Sequence, residues 1–286
     1  MSIDPLRPQN TYVNDPESGA EMARLIDQAQ CLNAAMGTLF PQGVDLSSIQ
    51  RVLDVACGPG EWAQEVAFTS PEIDVVGVDL SQAMIAFAGQ RAQVQHLDNA
   101  SFQLMDVRQP LAFPDESFDL VNARFLVSFL PRAEWPRAVK EFARVTRPGG
   151  VIVLTEFDAF GEDTTSQAFD EYIGYMYQSM YQAGLYSGPQ TGVTSRLEHF
   201  LHEAGCQTIQ KQWHQLDFSA GTPAHATIYH ANLFIGMKLA QPFLLKMGVA
   251  TQKHLDALYE QALFEAMQQD FRAHWNFLRV WGIRSS

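Results

Sequence analysis

The chain has 286 residues, 47% of them hydrophobic, which is enough for one large domain with insertions. Its formal net charge of −13 argues against a nucleic-acid partner, because phosphate backbones are bound through basic patches. Three widely spaced cysteines without a zinc-binding spacing indicate a reduced, cytoplasmic protein. Polar residues at the N-terminus and within the apolar stretch 228–249 lead us to expect neither a signal peptide nor a membrane span.

Residues 17–40 carry apolar side chains at helical spacing, and this pattern predicts a helix that ends before Pro41. Because the helix precedes the first strand, residues 1–44 are interpreted as a helical flap over a ligand site. Tyr12, just before the helix, is the candidate residue for covering the ligand. The sequence leaves a second interpretation open, in which the same segment is an arm packed on the domain surface.

Strand and helix patterns alternate from residue 51 to residue 157. They predict strands at 51–56, 74–79, 100–107, 118–123 and 151–157, and helices up to 70, at 81–97 and at 133–146. Such alternation predicts an α/β, doubly wound sheet whose ligand lies beyond the carboxyl ends of the strands. The later patterns predict helices at 164–184 and 194–204, a strand at 207–218, helical structure at 222–270 with a break near Gly248, and a last strand at 271–283.

The stretch 51–63, RVLDVACGPGEWA, predicts a strand, a tight glycine turn and the start of a helix. Gly58 and Gly60 allow a sharp turn and a close approach to a ligand, and the helix N-terminus offers free N–H groups. The spacing also fits a loose G-x-G-x-x-A of dinucleotide sites. Asp54 argues against that site, because its charge would repel a pyrophosphate, and it favours a ligand that carries an ammonium or sulfonium group.

Two further carboxylates close predicted strands. Asp79 comes 19 residues after the glycine turn, where a carboxylate can accept hydrogen bonds from both hydroxyls of a ribose. Its alternative role is to cap the helix that begins at Ser81. Asp106 ends the third predicted strand, where it can bind an adenine amino group with Met105 or Val107 beside the ring.

The pattern Asp-x-Ala-x-Gly-x-Gly at 54–60, the three strand-end carboxylates and Arg-Pro-Gly-Gly at 147–150 together resemble class I S-adenosylmethionine-dependent methyltransferases over residues 45–157. The resemblance implies a Rossmann-like seven-stranded sheet, mostly parallel with an antiparallel last strand, and S-adenosyl-L-methionine as the cofactor. It places the cofactor's ammonium at Asp54 and its sulfonium near residues 122–124. The cofactor-binding residues expected on this basis are Tyr12, Asp54, Ala56, Gly58, Gly60, Asp79, Leu80, Met84, Asp106, Val107, Asn122 and Ala123.

The expected division of the chain after the flap is a cofactor-binding core at 45–157 and 191–218, helical cap insertions at 158–190 and 219–270, and a last core strand at 271–286. The insertions follow strands expected to be parallel to the first, so they would roof the site. An aromatic roof suits a small, largely apolar methyl acceptor. Candidate lining residues, each of which also suits ordinary core packing, are Phe125, Phe129, Tyr172, Tyr175, Met176, Tyr181, Trp213, Phe234 and Met237.

Methyl transfer mainly requires that the acceptor is aligned and water excluded. The candidate catalytic residues are His230 on the second insertion, Glu156 and Arg124, and Glu156 could instead pair with Arg124. No matching Asp and Asn set for magnesium is found, so we expect no metal. The run 122–125 lacks the two prolines frequent in enzymes that methylate nucleic-acid bases, and the apolar helices at 222–267 are a candidate dimer surface.

The motifs leave three other functions open. A protein of the same fold could bind the cofactor and catalyse another reaction, such as a cyclisation, or could act as a cofactor-sensing module. A nicotinamide-dependent oxidoreductase is the third, although Asp54 and the Arg-Pro-Gly-Gly turn argue against it.

Overall fold

The computed structural model describes residues 12–285, so the first eleven residues of the predicted flap lie outside the described part of the chain. Its strands are β1 (Arg51–Val55), β2 (Asp74–Asp79), β3 (Ala100–Leu104), β4 (Phe118–Arg124), β5 (Thr146–Glu156), β6 (Cys206–Asp217) and β7 (His274–Arg284). They form one sheet in the order β3-β2-β1-β4-β5-β7-β6. Strands β1 to β5 are parallel, and β7 is antiparallel to both β5 and β6. The predicted doubly wound sheet with an antiparallel last strand is thereby confirmed.

Helices cover both faces of the sheet. They are α1 (Gly19–Met36), α2 (Glu61–Thr69), α3 (Gln82–Val94), α4 (Trp135–Val145), α5 (Gln167–Gln182), α6 (Leu197–Glu203), α7 (Pro223–Ile228), α8 (Met237–Met247) and α9 (Gln252–Ala266). A π-helical segment, Tyr229–Gly236, joins α7 to α8. Helices α5 and α7–α9 follow β5 and β6, which both run parallel to β1, so they lie beyond the carboxyl ends of these strands.

The central strand β1 is apolar on both faces because helices cover the sheet on each side. Leu53 and Val55 pack into one core, whereas Val52 packs into the core on the opposite face. Asp54 interrupts the apolar run on the Val52 face and is nevertheless 3% exposed. Since the chain continues from β1 to β2 on one side and β4 lies on the other, the sheet's switch point opens beside this carboxylate.

Several element boundaries differ from the predicted ones. Strand β3 ends at Leu104, and Asp106 lies in the following loop, because its side chain accepts hydrogen bonds from the backbone and guanidinium of Arg108. Strand β5 begins at Thr146, ahead of the glycine pair, and a register shift opposite β4 accommodates the extra residues. The predicted break near Gly248 is present, where this residue caps α8 in the left-handed conformation.

In residues 12–285, no helix combines the length and the apolar character that a membrane crossing requires. All three cysteines are free thiols that form no disulfide bond.

Gly77 of β2 is tightly packed beneath the glycine turn. A Cβ atom at Gly77 of β2 would lie 2.6 Å from Phe102 Cδ1 and 2.9 Å from Cys57 Sγ. We expect Gly77→Ala to lower the free energy of unfolding by about 1–3 kcal/mol through overpacking. The matched control is Gly89→Ala in α3, where nothing lies within 4 Å and alanine favours the helix. Urea unfolding that ranks the two variants equally would contradict this packing.

Candidate functional site

A cavity of about 310 Å³ opens at the carboxyl ends of β1, β2 and β4, beneath α1, α5 and the π-helical segment. Most of the predicted cofactor residues line it, namely Tyr12, Asp54, Ala56, Gly58, Asp79, Leu80, Met84, Asp106 and Val107. Gly60, Asn122 and Ala123 do not line it. Asn122 and Ala123 lie buried in β4 behind the cavity wall, and Gly60 is packed against Phe102 and Ala88.

The carboxylate of Asp54 is the most strongly buried charge on the cavity wall. Asn122 on β4 donates a hydrogen bond of 2.8 Å from Nδ2 to Asp54 Oδ1. Burial raises the pKa of Asp54 to about 6, against the opposing effects of the Arg124 charge and of the Asn122 hydrogen bond. No described residue forms an ion pair with this carboxylate, so the site is electrostatically matched to a ligand that brings its own cation.

The glycine turn follows directly from β1. Ala56, Gly58 and Gly60 all have positive φ values, of 54°, 54° and 81°. A side chain at Gly60 would also collide with Phe102, whose Cε1 lies 2.8 Å from the position of a Cβ. The turn therefore requires glycine for conformation and for space, and it leads into the N-terminus of α2.

Asp79 is fixed at the end of β2 by backbone donors. Its Oδ2 accepts from the Gly58 N–H at 2.9 Å, and its Oδ1 accepts from the Ser81 N–H at 2.8 Å. Burial raises the pKa of Asp79, while these N–H groups oppose the shift. The helix cap is Ser81 itself, whose hydroxyl accepts from the Met84 N–H. Asp79 thus ties the glycine turn to the start of α3, and its remaining lone pairs are available to a ligand in the cavity.

Asp106 lines the cavity from the loop after β3, together with Val107. Burial alone would raise the pKa of Asp106, but hydrogen bonds from the Arg108 guanidinium and backbone outweigh it and lower the pKa. This carboxylate is therefore ionised and oriented, although it lies in a loop and not at a strand end.

Residues 12–17, which we call the N-terminal segment, lie along the cavity and are held by hydrogen bonds at three places. The Val13 N–H donates to Ser128 O, and the Ser81 hydroxyl donates to Pro16 O at 3.0 Å. Glu17 accepts from backbone N–H groups at the start of α3. Tyr12 is placed as expected, on the cavity wall beside Phe129.

A buried polar network joins this segment to the cap. Glu21 accepts from the Tyr12 hydroxyl at 2.6 Å and forms an ion pair with Arg24 at 2.7 Å. Arg24 also donates to Gln28 and, at 2.7 Å, to Asn232 in the π-helical segment. Arg24, Gln28 and Asn232 line the cavity, and none of them was predicted from the sequence. Glu21, Arg24 and Gln28 share one helix face at spacings of three and four, and this spacing in the sequence could have predicted that they interact.

The far end of the cavity is aromatic, as expected for an apolar acceptor. Of the candidate lining residues, Phe125, Phe129, Tyr172, Met176 and Met237 line it. Tyr175, Tyr181, Trp213 and Phe234 do not, and all but Tyr175 are exposed. Phe157, Phe160 and Trp275 complete the wall, and Trp275 comes from β7, whose strand pattern suggested only a role in the sheet.

The structure separates the three candidate catalytic residues. His230 is exposed on the π-helical segment and does not line the cavity, because that segment directs Asn232 inward instead. Glu156 is fully buried and does not line the cavity either; it accepts from backbone N–H groups of Leu126 and Val127 and does not pair with Arg124. Of the three, Arg124 alone lines the cavity, and its guanidinium donates a hydrogen bond of 2.9 Å to Asn33 Oδ1 on α1.

No group of three or more His, Cys, Asp or Glu side chains within residues 12–285 is arranged to hold a metal ion.

Comparisons with known proteins agree with this geometry. Residues 52–150 match the family described as methyltransferase domain. The chain is 35% identical over 140 residues to the ubiquinone/menaquinone biosynthesis C-methyltransferase of Dinoroseobacter shibae, which covers 49% of this chain and 53% of that protein. It is 41% identical over 105 residues to the phosphatidylethanolamine N-methyltransferase of Cereibacter sphaeroides, which covers 36% and 49%. The solved structure of YcgJ from Bacillus subtilis aligns with a TM-score of 0.54 at 19% identity, over 94% of this chain and 100% of that chain.

A doubly wound sheet of this order, with a glycine turn and buried carboxylates at its switch point, is typical of domains that bind an adenosine cofactor. Residues 52–150 match the methyltransferase domain family, which agrees with the expected resemblance to class I S-adenosylmethionine-dependent methyltransferases. The chain spans about half the length of the curated relatives it matches.

The buried Asp54 carboxylate predicts a pH-dependent stability of the cofactor-free protein. Its folded pKa of about 6 exceeds its unfolded value, so the folded state binds more protons and loses stability as the pH rises from about 4 to about 6. Asp54→Asn removes this loss, and we expect its free energy of unfolding at pH 8 to exceed that of the wild type by up to about 3 kcal/mol.

Urea unfolding at pH 4.5, 6 and 8 measures the effect. The gain in Asp54→Asn must grow with pH, because at pH 4.5 the wild-type carboxyl is largely protonated in the folded state. A difference between the two proteins that is the same at all three pH values would show that Asp54 is not destabilised by burial.

Proposed function

We propose that the protein is an S-adenosylmethionine-dependent methyltransferase that acts on oxygen, nitrogen or carbon of a small, largely apolar metabolite by in-line displacement. The observation that carries the proposal is the buried Asp54 carboxylate, which lines the cavity without an ion-pair partner among the described residues. A cofactor with an ammonium group would supply the missing cation.

The residues of the wall match the parts of this cofactor. Asp54 would hold the ammonium, and Arg124, which lines the same cavity, would hold the carboxylate. Asp79, held by two backbone donors, would accept from the ribose hydroxyls, and Asp106 would accept from the adenine amino group. The zwitterionic end of the cofactor would thus meet one negative and one positive side chain.

The bound cofactor supplies a methyl group activated by its sulfonium. The contribution of this chain is to align the acceptor and to exclude water. The aromatic end of the cavity and the roof formed by α1, α5 and the π-helical segment provide both. His230 and Glu156 do not reach the cavity, so we assign neither of them a proton-transfer role.

The acceptor is proposed to be apolar from the lining of the cavity. The names of the two relatives describe one C-methyltransferase and one N-methyltransferase, so the likeness leaves the methylated atom open. Phe157, Phe160, Trp275 and the methionines of the roof support a molecule with a large apolar part.

Removing the proposed ribose ligand tests cofactor binding. We expect Asp79→Ala to weaken S-adenosylmethionine binding by roughly a hundredfold or more, since two hydrogen bonds to a charged acceptor are lost. The matched control is Asp74→Ala, at the exposed start of the same strand, which should bind like the wild type. Isothermal titration calorimetry gives both constants.

Turnover distinguishes the proposed reaction from its alternatives. Methyl transfer must release S-adenosylhomocysteine in step with a product that is heavier by one methyl group, as mass spectrometry of an acceptor panel can show. Product without S-adenosylhomocysteine would identify a different reaction on the same fold. Absence of cofactor binding by the wild type would overturn the proposal.

A further inference from the structure

The turn directly after β4 has a strained backbone at a bulky residue. Phe125 has φ 58° and ψ 34°, in the left-handed region that a large aromatic residue rarely adopts. A 3-10 turn, Leu126–Ser128, follows it. Strain of this kind persists only where the surroundings hold it in place, and it is found most often at functional sites.

Glu156, at the end of the neighbouring strand β5, holds this turn. Its Oε1 accepts from the Leu126 N–H at 2.6 Å, and its Oε2 accepts from the Val127 N–H at 3.2 Å. The Phe125 N–H donates to Thr155 O at 2.9 Å. Phe125 has no side-chain acceptor to cap the turn, so the buried carboxylate takes that place and satisfies two N–H groups that would otherwise be left without acceptors.

The strained conformation directs the Phe125 ring into an aromatic cluster that walls the cavity. The ring is stacked on Trp275 with centroids 5.7 Å apart, and it lies 5.6 Å from the ring of Phe157. The ring of Phe160 packs edge-on against Trp275, with centroids 4.7 Å apart. We call Phe125, Phe157, Phe160 and Trp275 the aromatic wall; all four line the cavity, and Phe125 directly follows Arg124.

We propose that Glu156 is a positioning residue that holds Phe125 as the free face of the aromatic wall, and that the acceptor presents a planar ring to that face. The inference rests on the proposed function, because it takes this end of the cavity as the acceptor site. A flat ring can stack or pack edge-on against the wall, whereas a puckered ring of the same size makes fewer close contacts.

Glu156 acts through the turn and not on the acceptor. Both of its carboxylate oxygens are engaged by backbone donors, and it contributes no atom to the cavity lining. Replacement of the carboxylate by an amide keeps the volume and removes one acceptor, so Glu156→Gln should loosen the turn while leaving the cofactor residues in place.

A pair of probes with the same carbon skeleton tests the inference. In the presence of S-adenosylhomocysteine, the dissociation constants of 2-naphthol, which is planar, and of decahydro-2-naphthol, which is puckered, are measured by calorimetry. The wild type should prefer 2-naphthol about tenfold, as aromatic packing allows. Phe125→Leu and Glu156→Gln should each remove most of this preference without changing the affinity for S-adenosylhomocysteine.

Thr155→Val is the matched control. Thr155 adjoins Glu156, is fully buried, and its hydroxyl has no hydrogen-bond partner, so the nearly isosteric change should leave the probe preference as in the wild type. Thermal unfolding of every variant checks that it is folded. If Glu156→Gln does not fold, Phe125→Leu still tests whether the aromatic wall sets the probe preference.

Two results would overturn the inference. One is a wild type that binds both probes equally or binds neither, and the other is a Glu156→Gln protein that is folded and keeps the wild-type preference. The proposed function would fail on a different result, namely a wild type that does not bind S-adenosylhomocysteine. The two failures are therefore distinguishable.

Discussion

The buried carboxylate of Asp54 is the constraint on which the rest of the site depends. A charge at the end of a central strand, 3% exposed, is unfavourable unless a partner compensates it. The chain supplies one hydrogen bond from Asn122 and the more distant charge of Arg124, and the pKa of about 6 shows that this compensation is incomplete. The free protein is therefore less stable than it would be without this charge, and a cationic ligand would compensate it, as is common at functional sites.

The surroundings of Asp54 keep water away from it. The glycine turn brings the backbone close on one side, and Asp79 locks that turn to the start of α3. On the other side, the network of Tyr12, Glu21, Arg24 and Asn232 joins the N-terminal segment to the cap. Low solvent access strengthens every electrostatic contact inside the cavity, so under the proposed function the roof would contribute to cofactor recognition as well as to the acceptor site.

Local patterns were sufficient to predict the core of the fold. Strand β2 was predicted with its observed ends, and Asp54, Gly58 and Asp79 were placed correctly on the cavity, because strand, turn and carboxylate follow each other within a few residues. The end of β3 was predicted three residues too late, since the hydrogen bonds of Asp106 to Arg108 compete with continued strand pairing.

Contacts between distant parts of the chain could not be predicted. Arg24 donates to Asn232, which lies 208 residues further along the chain, and no periodic pattern in the sequence predicts this contact. Glu156 was predicted to be a catalytic residue or a partner of Arg124, but its direction toward Leu126 depends on how β4 and β5 pack. His230 was chosen for its position on the cap, and the π-helical segment turns it to the outside. The cofactor end of the site is thus encoded locally, whereas the acceptor end depends on tertiary packing.

Proton release on cofactor binding tests the central role of Asp54 most directly. Calorimetric titration of S-adenosylmethionine at pH 6 in buffers of different ionisation enthalpy counts the protons exchanged. Since Asp54 is about half protonated in the free protein at this pH and would ionise beside the cofactor's ammonium, we expect release of about half a proton per site. The release should be absent from Asp54→Asn. Binding by the wild type with no proton release, or with the same release in Asp54→Asn, would contradict the account.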